Sequence, residues 1–134
     1  GAEVVSWAHL HQIQVIPLVG PSSILMALMA SGMNGQTFTF NGYLSNKRPE
    51  LIQQLKRLES KVVKSAQTQI WIETPYRNKF MVETLLQTLQ NNTVLCIACD
   101  INGPHEFIRS LKVYDWKKVD LSHLQKVPSI FLIG

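Results

Sequence analysis

Short apolar runs in the chain predict buried strands, because continuous hydrophobic segments bounded by polar turns are typical of strands covered on both faces. These predicted strands cover residues 14–19, 38–44, 68–74, 93–100 and 127–134. Segments with apolar positions three and four apart predict helices over 3–13, 22–31, 50–66 and 78–90. The alternation predicts an α/β fold, with a mixed sheet flanked by helices.

The predicted helix 22–31 is apolar around most of its circumference, which predicts burial on most sides. Its start is predicted to be capped by Ser22 or by the pair Ser22 and Ser23, since a serine oxygen can accept a first-turn amide. Gly32 is its predicted end. Residues 106–116 alternate more regularly and predict one exposed face with a part that is helical, and 119–126 predicts a short helix or a loop.

Polar corners follow the predicted strands at 20–23, 73–77 and 100–104. Because ligands in open α/β sheets bind beyond the carboxyl ends of strands, this shared placement predicts one ligand-binding edge. The Gly-Pro-Ser-Ser corner presents free amides and hydroxyls to a polar or anionic ligand, or it is an ordinary capped turn. The Glu-Thr-Pro-Tyr-Arg corner is either a substrate-orienting cluster or a helix start with Arg77 on the surface.

Other polar residues indicate a functional site less strongly. Asp100 and His105 form an acid–base pair, or Asp100 is a turn former. His9 and His11 are two positions apart on a predicted helix and face different ways, so no metal site is predicted there.

Cys96 and Cys99 form a C-x-x-C motif, which suggests a redox or zinc site when it lies on a turn. Here the flanking residues predict a strand, on which positions three apart point to opposite faces. The motif therefore predicts two buried, free cysteines, which fits a cytoplasmic protein.

Composition sets the broad class. The chain has 134 residues, 46% hydrophobic and 16% charged, which predicts one folded, soluble domain with a real core. No apolar run approaches the roughly 20 residues of a membrane span, and the first residues lack a basic leader. The net charge of +4 permits an anionic partner without demanding one.

Two stretches resemble a known family. "VIPLVGPSSILMALMASGMNGQTFTFNGYLSNK" and "IWIETPYRNKFMVETLLQTL" are similar to the C-terminal half of the tetrapyrrole methylase superfamily, and within it to the branch that acts on small-subunit ribosomal RNA. The resemblance covers nearly the whole chain. It implies a two-domain fold with S-adenosylmethionine between the domains, of which 1–20 is the tail of the first domain and 21–134 is the C-terminal domain.

The resemblance also implies roles for individual residues. The implied cofactor-binding residues are Ser22, Ser23, Glu73, Thr74, Asp100 and Pro128. The implied substrate-binding residues are Lys47, Arg48, Tyr76 and Arg77. The catalytic base stays unassigned, no metal is expected, and the implied partners are ribosomal RNA and a second copy of the chain.

The implied reaction is methylation of a cytidine 2′-oxygen. The chain departs from the family pattern at Tyr76, at residues 100–103 and in the less basic turn 45–49. These departures concern the RNA substrate more than the cofactor. Two alternatives stay open: methylation of a tetrapyrrole ring, and a non-catalytic binding or dimerisation module. A fragment of this kind is expected to bind the cofactor poorly alone.

Overall fold

The structure is a computed structural model that describes residues 1–124 and 126–134, the side chain of His123 excepted. A five-stranded mixed sheet has the order β1-β2-β5-β3-β4, in which β1 and β2 are parallel and the other pairs are antiparallel. The strands are β1 (Phe38–Tyr43), β2 (Thr68–Glu73), β3 (Val94–Cys99), β4 (Phe107–Lys112) and β5 (Ser129–Ile133). The helices are α1 (Ala2–Leu10), α2 (Ser23–Ser31), α3 (Arg48–Ser65), α4 (Asn78–Thr88) and the short α5 (Val113–Trp116), with 3-10 turns at Pro75–Arg77 and Ser122–Leu124. The predicted α/β class with a mixed sheet is confirmed.

Both faces of the sheet are covered, so its central strands are apolar on both sides. Trp71 and Phe131 pack with leucines of α3 and α4 on one face. Ile70 and Leu132 pack against α2 on the other. Cys96 lies on the α2 side and Cys99 on the α3 and α4 side, and both are buried and free. The prediction for the C-x-x-C motif is therefore confirmed.

The predicted strand 14–19 is wrong. Residues 13–22 belong to no helix or strand, and the side chains of Leu18 and Val19 are almost fully exposed. A strand needs a neighbour to pair with its amides and carbonyls, and no strand in the described parts of the chain lies beside this segment. The corner at 20–23 therefore does not follow a strand here.

The predicted burial of the second helix is also wrong in extent. In α2 only Ala27, Leu28 and Ser31 are buried, whereas the side chain of Met29 is 82% exposed. The sheet covers one face of this helix, and Leu25 and Met29 are exposed. Gly32 ends the helix with a φ of 72°, as predicted, because glycine tolerates the left-handed conformation.

The remaining elements follow the predicted pattern with small shifts at their ends. The helix α3 begins at Arg48 rather than at residue 50, which places Arg48 in its first turn. Residues 106–116 divide into β4 and α5, so the alternation marks a strand and the helical part follows it. Among the described helices, none is both long and apolar enough to cross a membrane.

Candidate functional site

A cavity of about 290 Å³ opens at the edge of the sheet where β2 and β3 end and the antiparallel β5 begins. Glu73 and Cys99 both pair with Ser129 in the sheet, which places three strand ends in one row. The lining residues are Ser23, Tyr43, Ile72, Glu73, Ala98, Asp100, Ile101, Pro128, Ser129 and Ile130. The structure thus brings together four residues that are far apart in sequence and carry predicted cofactor roles: Ser23, Glu73, Asp100 and Pro128. Ser22 and Thr74 are not among the lining residues.

Glu73 contributes a buried carboxylate to this cavity. Its Oε1 accepts hydrogen bonds from the backbone amide of Thr74 at 2.7 Å and from the Thr74 hydroxyl at 3.3 Å. Its Oε2 lies 3.2 Å from Nη2 of Arg77, but the two atoms are not aligned as a hydrogen bond. Oε2 is therefore a buried acceptor without a hydrogen-bond partner among the described residues, and it can receive a hydroxyl or amine of a ligand.

Asp100 forms the second acidic corner. Its backbone has a φ of 49°, and its amide donates to the carbonyl oxygen of Pro128 at 3.0 Å. Its Oδ2 accepts from the backbone amide of His105 at 2.9 Å, and its carbonyl oxygen accepts from the amide of Gly103 at 2.7 Å. These contacts support the turn-forming interpretation, because the bond to His105 uses the backbone and not the imidazole.

Gly103 is packed directly against the Asp100 carboxylate. A Cβ atom at this position would overlap the Asp100 carboxylate atoms. A glycine is therefore required to leave that carboxylate where it lies.

The start of α2 supplies the third wall. Ser22 stands at the N-cap position with extended backbone angles, and its carbonyl accepts from the amide of Met26 at 2.9 Å. The predicted hydroxyl cap is wrong, because no side-chain capping hydrogen bond forms. Ser23 is exposed and lines the cavity. The first-turn amides of α2 are consequently not engaged by a capping hydroxyl.

Tyr43 lines the cavity and was missed by the sequence analysis. In the β1–β2 pairing, Phe40 faces Ile70 and Tyr43 faces Ile72, so one extra residue is inserted between them. Gly42 absorbs this bulge with a φ of 65°. Without the extra residue, Tyr43 would point to the opposite face of the sheet. In the sequence, the feature that could have indicated this bulge was Gly42, near the end of the predicted strand.

The predicted substrate-binding residues are spread over the rim. Lys47 forms an exposed ion pair with Glu50, and Tyr76 is 86% exposed. Arg48 and Arg77 both lie against the ring of Phe80, at 5.4 Å and 5.8 Å from its centroid. Arg77 also donates to the carbonyl oxygen of Ser45 at 3.0 Å, so it is tied to structure rather than free on the surface.

Asn78 is a second residue that the sequence analysis missed. Its Nδ2 lies 2.8 Å from the carbonyl oxygens of Leu124 and Val127 and from the Ser129 hydroxyl. These contacts fix the segment that carries Pro128 against α4. An asparagine at a helix start resembles an ordinary cap, so the sequence held no signal for this role.

Burial raises the pKa of the Cys96 and Cys99 thiols above their ordinary value. Cys99 Sγ lies 3.1 Å from the hydroxyl of Ser129, a residue that lines the cavity. A thiol with a raised pKa stays protonated at neutral pH, so these cysteines are not poised as nucleophiles. In the described part of the chain, no three His, Cys, Asp or Glu residues are grouped so as to hold a metal ion.

A larger cavity of about 320 Å³ lies beside Lys79 and Glu83 of α4. It collects none of the predicted site residues. The candidate site is therefore the cavity at the strand ends, where the predicted residues converge.

The chain is similar to curated proteins named ribosomal RNA small subunit methyltransferase I. The protein of Buchnera aphidicola subsp. Schizaphis graminum is 30% identical over 124 residues, covering 90% of this chain and 42% of its own length. The protein of Halalkalibacterium halodurans is 35% identical over 109 residues, covering 81% of this chain and 36% of its own length. The chain thus spans about two fifths of the length of these relatives. No protein-family profile matches it.

Among solved structures, the uroporphyrin-III-C-methyltransferase from Thermus thermophilus superposes on 99% of this chain with a TM-score of 0.54. The match covers 56% of that structure at 18% identity. This likeness shows the fold.

Proposed function

We propose that residues 21–134 are the C-terminal domain of an S-adenosylmethionine-dependent methyltransferase, because the chain belongs to the tetrapyrrole methylase superfamily. Residues 1–20 are then the tail of the preceding domain. The methyl acceptor is small-subunit ribosomal RNA, which the names of both relatives support, and the modified atom is a cytidine 2′-oxygen. A ribosomal RNA substrate places the enzyme in the cytoplasm, and we expect a homodimer.

The single observation that carries this proposal is the convergence of Ser23, Glu73, Asp100 and Pro128 on one cavity. The residues fit a nucleoside-containing cofactor, since the buried Oε2 of Glu73 is an acceptor without a hydrogen-bond partner among the described residues. The start of α2 adds amides that no serine hydroxyl caps. Apolar side chains of Ile72, Ala98 and Ile130 complete the lining.

The cavity is small for the whole cofactor. Its volume of about 290 Å³ lies just below the range usual for ligand pockets, roughly 300–1,000 Å³. We therefore assign the remaining cofactor contacts to the preceding domain. Because this chain supplies only part of the contacts, it is expected to bind the cofactor poorly alone.

When bound, S-adenosylmethionine supplies an electrophilic methyl group. The residues of this chain hold and orient the cofactor. Glu73 and Ser23 bind its polar atoms, while the Asp100 corner and Pro128 shape the opposite wall of the cavity. Holding donor and acceptor in line converts a bimolecular reaction into an effectively unimolecular one. No residue of the described chain is assigned as the base.

The test is methyl transfer by the full-length protein. Tritiated S-adenosylmethionine is incubated with unmodified small-subunit ribosomal RNA, with assembled small subunits and, separately, with a uroporphyrinogen ring. Label in the RNA that is recovered as 2′-O-methylcytidine after nuclease digestion supports the proposal. Label in the ring would establish the alternative of ring methylation, and the absence of label in every acceptor would favour a non-catalytic module.

A further inference from the structure

A second depression lies between the edge strand β1 and the helix α3. It has a volume of about 370 Å³, and its lining residues are Asn41, Tyr43, Leu44, Gln54, Arg57, Leu58 and Lys61. We call it the β1–α3 cleft. Its two charged lining residues, Arg57 and Lys61, are both basic. This composition suits an anionic partner.

The helix explains why the basic side chains meet here. Gln54, Arg57 and Lys61 are spaced three and four positions apart, so they lie on one side of α3. Leu58 of the same side is buried in the core and anchors this side against the sheet. Gln54 closes one end, because its Oε1 accepts a hydrogen bond from the amide of Ser45 at 2.8 Å.

The charges of the cleft are not neutralised within the described chain. Arg57 and Lys61 are exposed, and neither has an ion-pair partner among the described residues. The buried carboxylate of α3, Glu59, instead accepts hydrogen bonds from Gln90 and Thr93. Two unneutralised cations therefore stand one helical turn apart beside the sheet edge.

Tyr43 joins this cleft to the candidate cofactor cavity, since it lines both. Its side chain is 61% exposed, and β1 is the edge of the sheet, so no described strand covers its outer side. A phenol ring in this position offers a stacking surface for a base, and stacking of this kind is tolerant of sequence.

We infer that single-stranded RNA crosses β1 along the β1–α3 cleft, with its phosphates against Arg57 and Lys61 and one base stacked on Tyr43 at the mouth of the cavity. This inference rests on the proposed function, because it assigns the path by which the methyl acceptor reaches that site. It adds three residues, Tyr43, Arg57 and Lys61, to the substrate surface predicted from sequence.

The test compares two matched pairs of substitutions in the full-length protein. Arg57→Gln/Lys61→Gln removes two charges from the cleft. Lys56→Gln/Lys64→Gln removes two charges from the same helix, at residues that line a different depression and not the cleft. Binding of unmodified small-subunit ribosomal RNA is measured over a range of salt concentrations, together with affinity for S-adenosylhomocysteine. Tyr43→Ala and Tyr43→Phe are measured in the same way.

The cleft variant is expected to make the negative slope of log K against log salt shallower by about 1.4, since each phosphate contact with a single strand contributes about −0.7. The control pair is expected to leave the slope nearly unchanged. Tyr43→Ala should weaken RNA binding about 5- to 150-fold, whereas Tyr43→Phe should retain it. Cofactor affinity should hold in the two charge variants, since none of their residues lines the cofactor cavity.

Equal effects of the two pairs would overturn the inference, because net charge and not the cleft would then govern binding. So would a Tyr43→Ala protein that loses cofactor affinity while keeping RNA affinity. In either case, label transferred to RNA by the wild-type protein would leave the proposed function standing. A wild-type protein that methylates the ring and not RNA would overturn both.

Discussion

The guanidinium of Arg77 lies 3.2 Å from the buried carboxylate of Glu73 and donates a hydrogen bond to the carbonyl oxygen of Ser45. Arg77 therefore links the end of β2 to the segment that follows β1. The same guanidinium lies against the ring of Phe80. A residue expected from the sequence to face substrate is thus paired with Glu73, which lines the candidate cofactor cavity.

Arg77→Gln is expected to destabilise the protein by about 1–3 kcal/mol, because it leaves the Glu73 carboxylate buried without its cation. It should also weaken cofactor affinity, since Glu73 lines the cavity. The matched control is Lys47→Gln, which breaks an exposed ion pair and should change stability by less than about 1 kcal/mol. Urea unfolding and calorimetry with S-adenosylhomocysteine measure both effects. Equal stability of the two variants would show that Arg77 acts only at the surface.

Ser22→Ala is expected to leave the melting temperature unchanged, because the Ser22 hydroxyl forms no capping hydrogen bond. A functional serine cap would cost about 1 kcal/mol on removal. Ser23→Leu should fold normally and lose cofactor affinity, since Ser23 is exposed and lines the cavity. Melting temperature and affinity are measured on the same samples of full-length protein. A folded Ser23→Leu protein with normal affinity would remove this corner from the site.

Gly103→Ala should displace the Asp100 carboxylate, because the added Cβ overlaps it. We expect cofactor affinity to fall about 2- to 12-fold, which corresponds to one neutral hydrogen bond. Gly35→Ala is the matched control, since a Cβ there meets no atom within 4 Å. Calorimetry with S-adenosylhomocysteine distinguishes the two. Unchanged affinity in Gly103→Ala would mean that the Asp100 position is irrelevant to binding.

The buried cysteines predict a pH dependence of stability. Burial raises the pKa of both thiols in the folded protein, so their contribution to stability is fully present below the ordinary thiol pKa. Above about pH 8.5 the unfolded chain ionises first, and the free energy of unfolding should fall. The Cys96→Ala/Cys99→Ala variant should show a smaller fall over the same range in urea titrations. Parallel curves for the two proteins would contradict this account.

The ends of the strands predicted from the sequence indicated where most of the candidate site lies. Glu73 and Asp100 lie where their predicted strands end, and a hydrophobic run gives such positions directly. Pro128 joins them because β5 runs antiparallel through the middle of the sheet. That strand order depends on long-range pairing, which a hydrophobic pattern does not encode.

Other features of the structure could not be predicted, because they leave little or no local pattern in the sequence. The bulge at Gly42 changes the face on which Tyr43 lies, and a one-residue insertion leaves little trace in an apolar pattern. The segment 14–19 has the composition of a strand, but composition does not supply a partner strand. The role of Arg77 depends on Ser45, 32 positions away, and no short-range motif contains that contact.

A crystal structure of the full-length protein with S-adenosylhomocysteine tests the proposed cofactor cavity most directly. We expect ligand density in the strand-end cavity, in contact with Ser23, Glu73, Asp100 and Pro128. Density elsewhere, for example in the cavity beside Lys79 and Glu83, would contradict it.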